Sequence, residues 1–192
     1  MQSFWEKLSF FTIILTMMSI SSSPHPFVLI FCYIIHETGH IIFAKAVGAE
    51  IVGGIKNKAL RLSISYDCSH ISYFKEMLVC SGGIAFNLAF ATLAALFGFL
   101  SNELGKFFVI CNISLAVMNF YPIYILDGGG ILRCISLMLF TWEKSEKICK
   151  ITSFVFALIL WFFAVYLLLV FSANISLFLI SVLLLIELCF SI

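Results

Sequence analysis

The sequence predicts an all-α polytopic membrane protein of about six transmembrane helices, with a short interfacial β-hairpin between the second and the third. Three observations carry that expectation. Of 192 residues, 62% are hydrophobic and only 11% are charged; the mean hydropathy is +1.14; and the apolar residues fall into long runs. A soluble domain carries roughly a quarter of its residues as charges. A helix rises about 1.5 Å per residue, so about 20 apolar residues cross a hydrocarbon core about 30 Å thick. Residues 1–192 therefore read as one membrane-embedded domain with the lipid bilayer as its solvent. A net charge of +1 lacks the concentrated basic surface that a nucleic-acid partner requires, and none is expected.

Runs bounded by charge, proline or glycine place spans at about 8–22, 27–47, 76–100, 107–127, 149–171 and 174–191. The first follows Lys7 and is followed by no small-x-small cleavage site, so it is expected to be retained rather than removed as a signal peptide. Between the first two spans, Ser21-Ser22-Ser23-Pro24-His25-Pro26 combines serines with helix breakers and predicts a tight turn. From Glu50 to Tyr66 the pattern changes. Gly53-Gly54, a polar Lys56-Asn57-Lys58 turn and the alternation of Leu60, Leu62, Ile64 and Tyr66 predict a β-hairpin, which must avoid exposing its edge to lipid. Residues 130–147 mix apolar and charged positions and are expected to form an interfacial helix or loop.

Orientation follows from the basic residues, which cytoplasmic flanks accumulate. With the N-terminus inside, Lys7, Lys45, Lys56, Lys58, Arg61, Lys75, Arg133, Lys144, Lys147 and Lys150 lie on or near the cytoplasmic side and Lys106 lies outside. Both termini are then cytoplasmic. The seven cysteines form no Cys-x-x-Cys pair and mostly sit in apolar runs, as reduced, small packing residues do.

The chemistry concentrates at His36-Glu37-Thr38-Gly39-His40, inside the second apolar run. On a helix, positions i and i+4 share a face, so His36 and His40 can bind one metal ion while Glu37 acts as general base on a water. Two imidazoles and a carboxylate are costly inside a membrane unless they function. A catalytic zinc needs a third protein ligand and an open position. His25 and His70 lie in connecting segments, and most acidic residues lie at span ends. Asp127 stands out, at the inner end of the fourth span, after Pro122 and before Gly128, Gly129 and Gly130. By itself it also fits a turn residue preceding glycine. Depth favours a ligand, because the second and fourth spans both run inward and bring His36, His40 and Asp127 to one level.

With these residues in place, the sequence resembles the site-2 protease family of intramembrane zinc metalloproteases, and its bacterial branch that processes a sporulation pro-sigma factor. The resemblance rests on His36-Glu37-Thr38-Gly39-His40, on Asn119-x-x-Pro122-x-x-x-Leu126-Asp127-Gly128, and on Gly83-x-x-x-Asn87 in the third span. It implies one zinc ion per chain, peptide-bond hydrolysis, and membrane-embedded polypeptide substrates such as a regulator, a signal-peptide remnant or a peptide precursor. It also implies a bacterial cytoplasmic membrane, and the basic-residue bias places the active site toward the cytoplasm. By the same resemblance Asn87 and Asn119 are candidates for binding substrate or an oxyanion, and Gly83, Pro122, Gly128 and Gly129 are structural positions of the motifs. An asparagine within a span equally serves helix–helix hydrogen bonding, and Asn119 can instead hold the loop around Pro122 and Asp127. Ile84 stands where relatives often carry proline, so no kink is expected there. Only about 28 residues separate the second and third spans, too few for the peptide-binding domain of some relatives.

Other chemistries assemble less well. No Gly-x-Ser-x-Gly occurs, and a single aspartate within the spans cannot form an aspartyl dyad. A metal permease would need further polar residues along a through-path, and the outer halves of the spans offer almost none. An inactive relative would have lost the base or a ligand, and all four are present.

Overall fold

Among the described residues proline and glycine set several of the places where helices begin and stop. The computed structural model describes residues 25–58, 61–67, 70–171, 178–179, 181–182, 184–186 and 188. The expected first span at 8–22 lies outside them, as does much of the one at 174–191. Among the described residues four helices are long and apolar enough to cross a membrane. The chain divides into two compact units, 1–118 and 119–192.

In the first unit, α1 runs from His25 to Val47. The sequence places a helix-breaking turn through Pro26, but the helix already starts at His25. Pro26 falls in the first turn, where its missing N–H costs no hydrogen bond. Gly48 ends the helix with φ +80°. Its N–H donates to Lys45 O at 3.3 Å and that of Ala49 to Ala44 O at 2.9 Å, the paired bonds of a Schellman stop that favours glycine. Two antiparallel strands follow, β1 (Glu50–Lys58) and β2 (Arg61–Asp67), in register from Glu50 opposite Asp67 to Lys58 opposite Arg61. The ladder is irregular between Val52 and Ile55, where Gly53-Gly54 tolerates a bulge.

Helix α2 (Tyr73–Leu96) is capped by Ser72, whose hydroxyl accepts from Lys75 N at 3.4 Å, and carries Glu76 in its first turn, both favourable at a helix start. It continues without a break past Ile84. A 3₁₀ turn, Phe99–Ser101, leads to α3 (Glu103–Phe120), where Asn102 Oδ1 accepts from Gly105 N at 2.6 Å. Small residues set the contact between α1 and α2. A Cβ on Gly82 would come within 2.7 Å of Gly39 O, so the two backbones meet only because both positions are glycine, as small-residue interfaces in membranes require. Ala91, Ala94 and Val109 pack α2 against α3. Asn112 of α3 is fully buried and donates to Cys32 Sγ of α1 at 3.0 Å.

In the second unit the chain departs from the expected fourth span at 107–127. The helix stops at Phe120, because Pro122 has no N–H to continue the ladder and keeps Tyr121 out of the helical region. Residues 121–126 form turns, with Ile123 N donating to Tyr121 O and Leu126 N to Ile123 O, each at 2.8 Å. A separate helix, α4 (Asp127–Leu139), then begins. Asp127 is thus the start of a new helix rather than the end of a span. Of the described helices α4 has the most one-sided distribution of apolar residues. The next helix, α5 (Trp142–Phe171), starts earlier than the expected 149 and takes in the charged turn with the Glu146–Lys150 pair at 3.5 Å. Among the described residues Cys32, Cys111, Cys134 and Cys149 are free thiols.

Candidate metal centre

The face of α1 that meets α2 carries the motif. Cys32, Ile35, His36, Gly39, His40 and Ala44 are its buried residues, a stripe at helical spacing. His36 is 1% and His40 6% exposed. Their Nε2 atoms stand 3.2 Å apart, with the rings edge to face at a centroid distance of 4.8 Å. Two imidazole nitrogens sharing a tetrahedral zinc at about 2.0–2.1 Å would be about 3.3 Å apart. The donor pair fits such an ion.

Helix α2 supplies the rest of the cradle. Val79 O is 2.7 Å from His40 Nδ1, and an Asn87 amide terminus is 3.3 Å from His36 Nδ1. A Cβ at Gly83 would lie 2.5 Å from both His36 Cε1 and His40 Nε2. Glycine at this position is the space in which the imidazoles sit. Glu37, next to His36 in the chain, has a buried Oε1 without a hydrogen-bond partner. A buried carboxylate oxygen in that state has an open acceptor position for a hydrogen bond. Thr38, between the ligand candidates, satisfies its hydroxyl on Ile34 O at 2.7 Å and is turned to its own helix. Neither remaining histidine joins this cluster. His70 is exposed, and His25 packs edge-on to Phe107 at 4.4 Å.

The second motif belongs to the second unit. Asn119 lies in the last turn of α3, and Asp127, 6% exposed, opens α4. At a helix N-terminus the partial positive charge of the unpaired N–H groups favours an ionised carboxylate, the form a metal ligand requires. Gly128 and Gly129 make this geometry possible, since a Cβ on either would collide with the carbonyls of Phe120 and Tyr121 or of Ile123. Helix α5 steadies the turn: Tyr124 N donates to the fully buried Ser153 Oγ at 2.8 Å, and Tyr121 packs edge-on to Phe156.

Two contributors escape a reading of the sequence. The Val79 carbonyl is main chain and carries no residue signature. Gly39 is visible only as a spacer in the motif, whereas it forms half of the close contact with Gly82.

Residues 101–163 match the model of peptidase family M50, a stretch that takes in α3, the Pro122 turn, Asp127, α4 and most of α5. A comparison with curated proteins finds no match. Among solved structures, the chain is similar to a site-2 protease from Methanocaldococcus jannaschii, with 22% identity, a TM-score of 0.64, and coverage of 95% of this chain and 86% of the other. The family match falls on the stretch that carries Asp127, and the structural likeness shows a fold shared with that site-2 protease.

Proposed function

We propose that this chain is a zinc-dependent metalloendopeptidase of the site-2 type, cutting peptide bonds in or near transmembrane segments of membrane-tethered precursors. The observation that carries the reading is the buried His36–His40 pair at ligand spacing beside the unpartnered Glu37 carboxylate. His36 and His40 would hold one zinc ion, with Asp127 as third ligand. The order of the two motifs along the chain and the M50 match around Asp127 favour that role. The chemistry supplied by zinc, when bound, is Lewis acidity, which acidifies water and polarises a peptide carbonyl. Glu37 takes a proton from the attacking water and returns it to the leaving amine. Asn119 holds the turn around Pro122, while Gly128 and Gly129 let that turn close onto α4.

The wider reading has the two units working as one six-span domain in a bacterial cytoplasmic membrane, with both termini and the active site toward the cytoplasm, as the basic-residue bias favours. The β1–β2 hairpin lies at the cytoplasmic interface, where an edge can pair with an unwound substrate. The sporulation pro-sigma factor branch supplies a first substrate class to try. Glu37→Gln tests the core of the proposal. It should abolish cleavage of membrane-tethered substrates co-expressed with the protein while purified protein keeps its zinc. Unimpaired cleavage would remove the protease assignment, and loss of zinc would make Glu37 a ligand.

A further inference from the structure

The two imidazoles of the pair are oriented by different kinds of group on α2. A carbonyl oxygen only accepts, so the 2.7 Å contact with Val79 O puts a proton on His40 Nδ1 and leaves a lone pair on Nε2. That lone pair points to His36 Nε2 at 3.2 Å. At His36 the partner is an amide, which offers either a donor or an acceptor. With Asn87 Nδ2 facing His36 Nδ1 at 3.3 Å, the nitrogen of the ring must accept. The ring proton then sits on Nε2, the nitrogen whose lone pair a cation would need.

Asn87 is 0% exposed, and its Oδ1 has no hydrogen-bond partner, so no second contact of the oxygen holds the amide in that orientation. A half-turn about its last side-chain bond brings Oδ1 to His36 Nδ1. The ring must then carry its proton on Nδ1, and its Nε2 lone pair converges with that of His40. Resting on the zinc reading of His36 and His40, we propose that Asn87 is a positioning residue that sets the tautomer of His36. With Oδ1 on His36 Nδ1–H the Nε2 lone pair is available to a cation, and Nδ2–H turns toward the place Oδ1 leaves. Histidine ligands elsewhere are commonly fixed through their second nitrogen in the same sense.

The test is zinc affinity of the full-length protein in detergent, measured by competition with a chromophoric chelator, which needs no substrate. Asn87→Leu, which neither donates nor accepts, should weaken zinc binding about 10–100-fold, the usual effect of losing such a support. Asn87→Asp has nearly the same shape and only accepts, so it should bind zinc at least as tightly as the parent. Weakening by Asn87→Asp equal to that by Asn87→Leu would overturn the proposal, because the amide would then be needed as a donor. Parent-like binding by Asn87→Leu would overturn it as well. His36→Ala separates this inference from the reading beneath it: if His36→Ala keeps zinc, the metal site itself is wrong, whereas its loss of zinc beside an indifferent Asn87 discards only the role of Asn87. If Asn87→Leu does not yield folded protein, Asn87→Ala, which also neither donates nor accepts, takes its place with the same expected loss.

Discussion

At the scale of single residues, the centre depends on a few atoms whose alternatives are easy to remove. Asp127 is the proposed ligand supplied from outside the α1–α2 pair, and its identity as carboxylate is what matters. Asp127→Asn keeps the shape and the place at the start of α4, but a neutral amide is a much poorer ligand for a divalent cation. Zinc content and cleavage should fall together, measured on the same preparations by metal analysis and by product formation. His70, exposed and apart from the pair, is the control. Zinc lost from His70→Ala and kept in Asp127→Asn would move the third ligand to the segment before α2.

At the scale of elements, the approach of α1 to α2 is the structural basis of the site, because Val79, Gly83 and Asn87 reach the imidazoles only while Gly39 and Gly82 touch. Gly82→Val introduces branched volume where even a Cβ would sit 2.7 Å from Gly39 O. Such overpacking costs typically about 1–3 kcal/mol. Zinc affinity should drop while the helix content seen by circular dichroism stays, since each helix satisfies its own backbone in the membrane. Zinc binding unchanged in folded Gly82→Val would show that the cradle does not need this contact. The Pro122 turn makes the complementary point. It ends α3 and opens α4, and so places Asp127 at a helix N-terminus rather than at a helix end, where the negative end of the dipole would oppose an ionised carboxylate.

At the scale of the whole molecule, topology and chemistry meet in the position of the cut. In the proposed orientation, which the basic-residue bias favours, the end of α1 with His36 and His40 faces the cytoplasm. The scissile bond is therefore expected in the cytoplasmic half of the substrate span or just beyond it, where water enters. Helix-destabilising residues near that bond should speed cleavage, because unwinding frees the carbonyl from its own helical hydrogen bond. Mass spectrometry of both products locates the bond, and cuts at the extracytoplasmic end would reverse the orientation.

Much of this was legible in the sequence. Hydropathy marks a bilayer chain, since soluble domains carry roughly a quarter of their residues as charges, and i, i+4 spacing puts His36 and His40 on one face whatever the helix packs against. Residue identity likewise offers Glu37 as a base candidate and Asp127 as a ligand candidate. What composition could not fix were the boundaries: a hydropathy run reads through Pro122 as one span, although the backbone ends at Phe120 and restarts at Asp127. Nor could it find the carbonyl at Val79, and Gly83 and Asn87, which the motif singles out, acquire their places beside the imidazoles only once two glycines bring α2 against α1. Spacing along one helix is local geometry and is written in the sequence, whereas which atoms of a second helix face it depends on close packing between segments far apart in the chain.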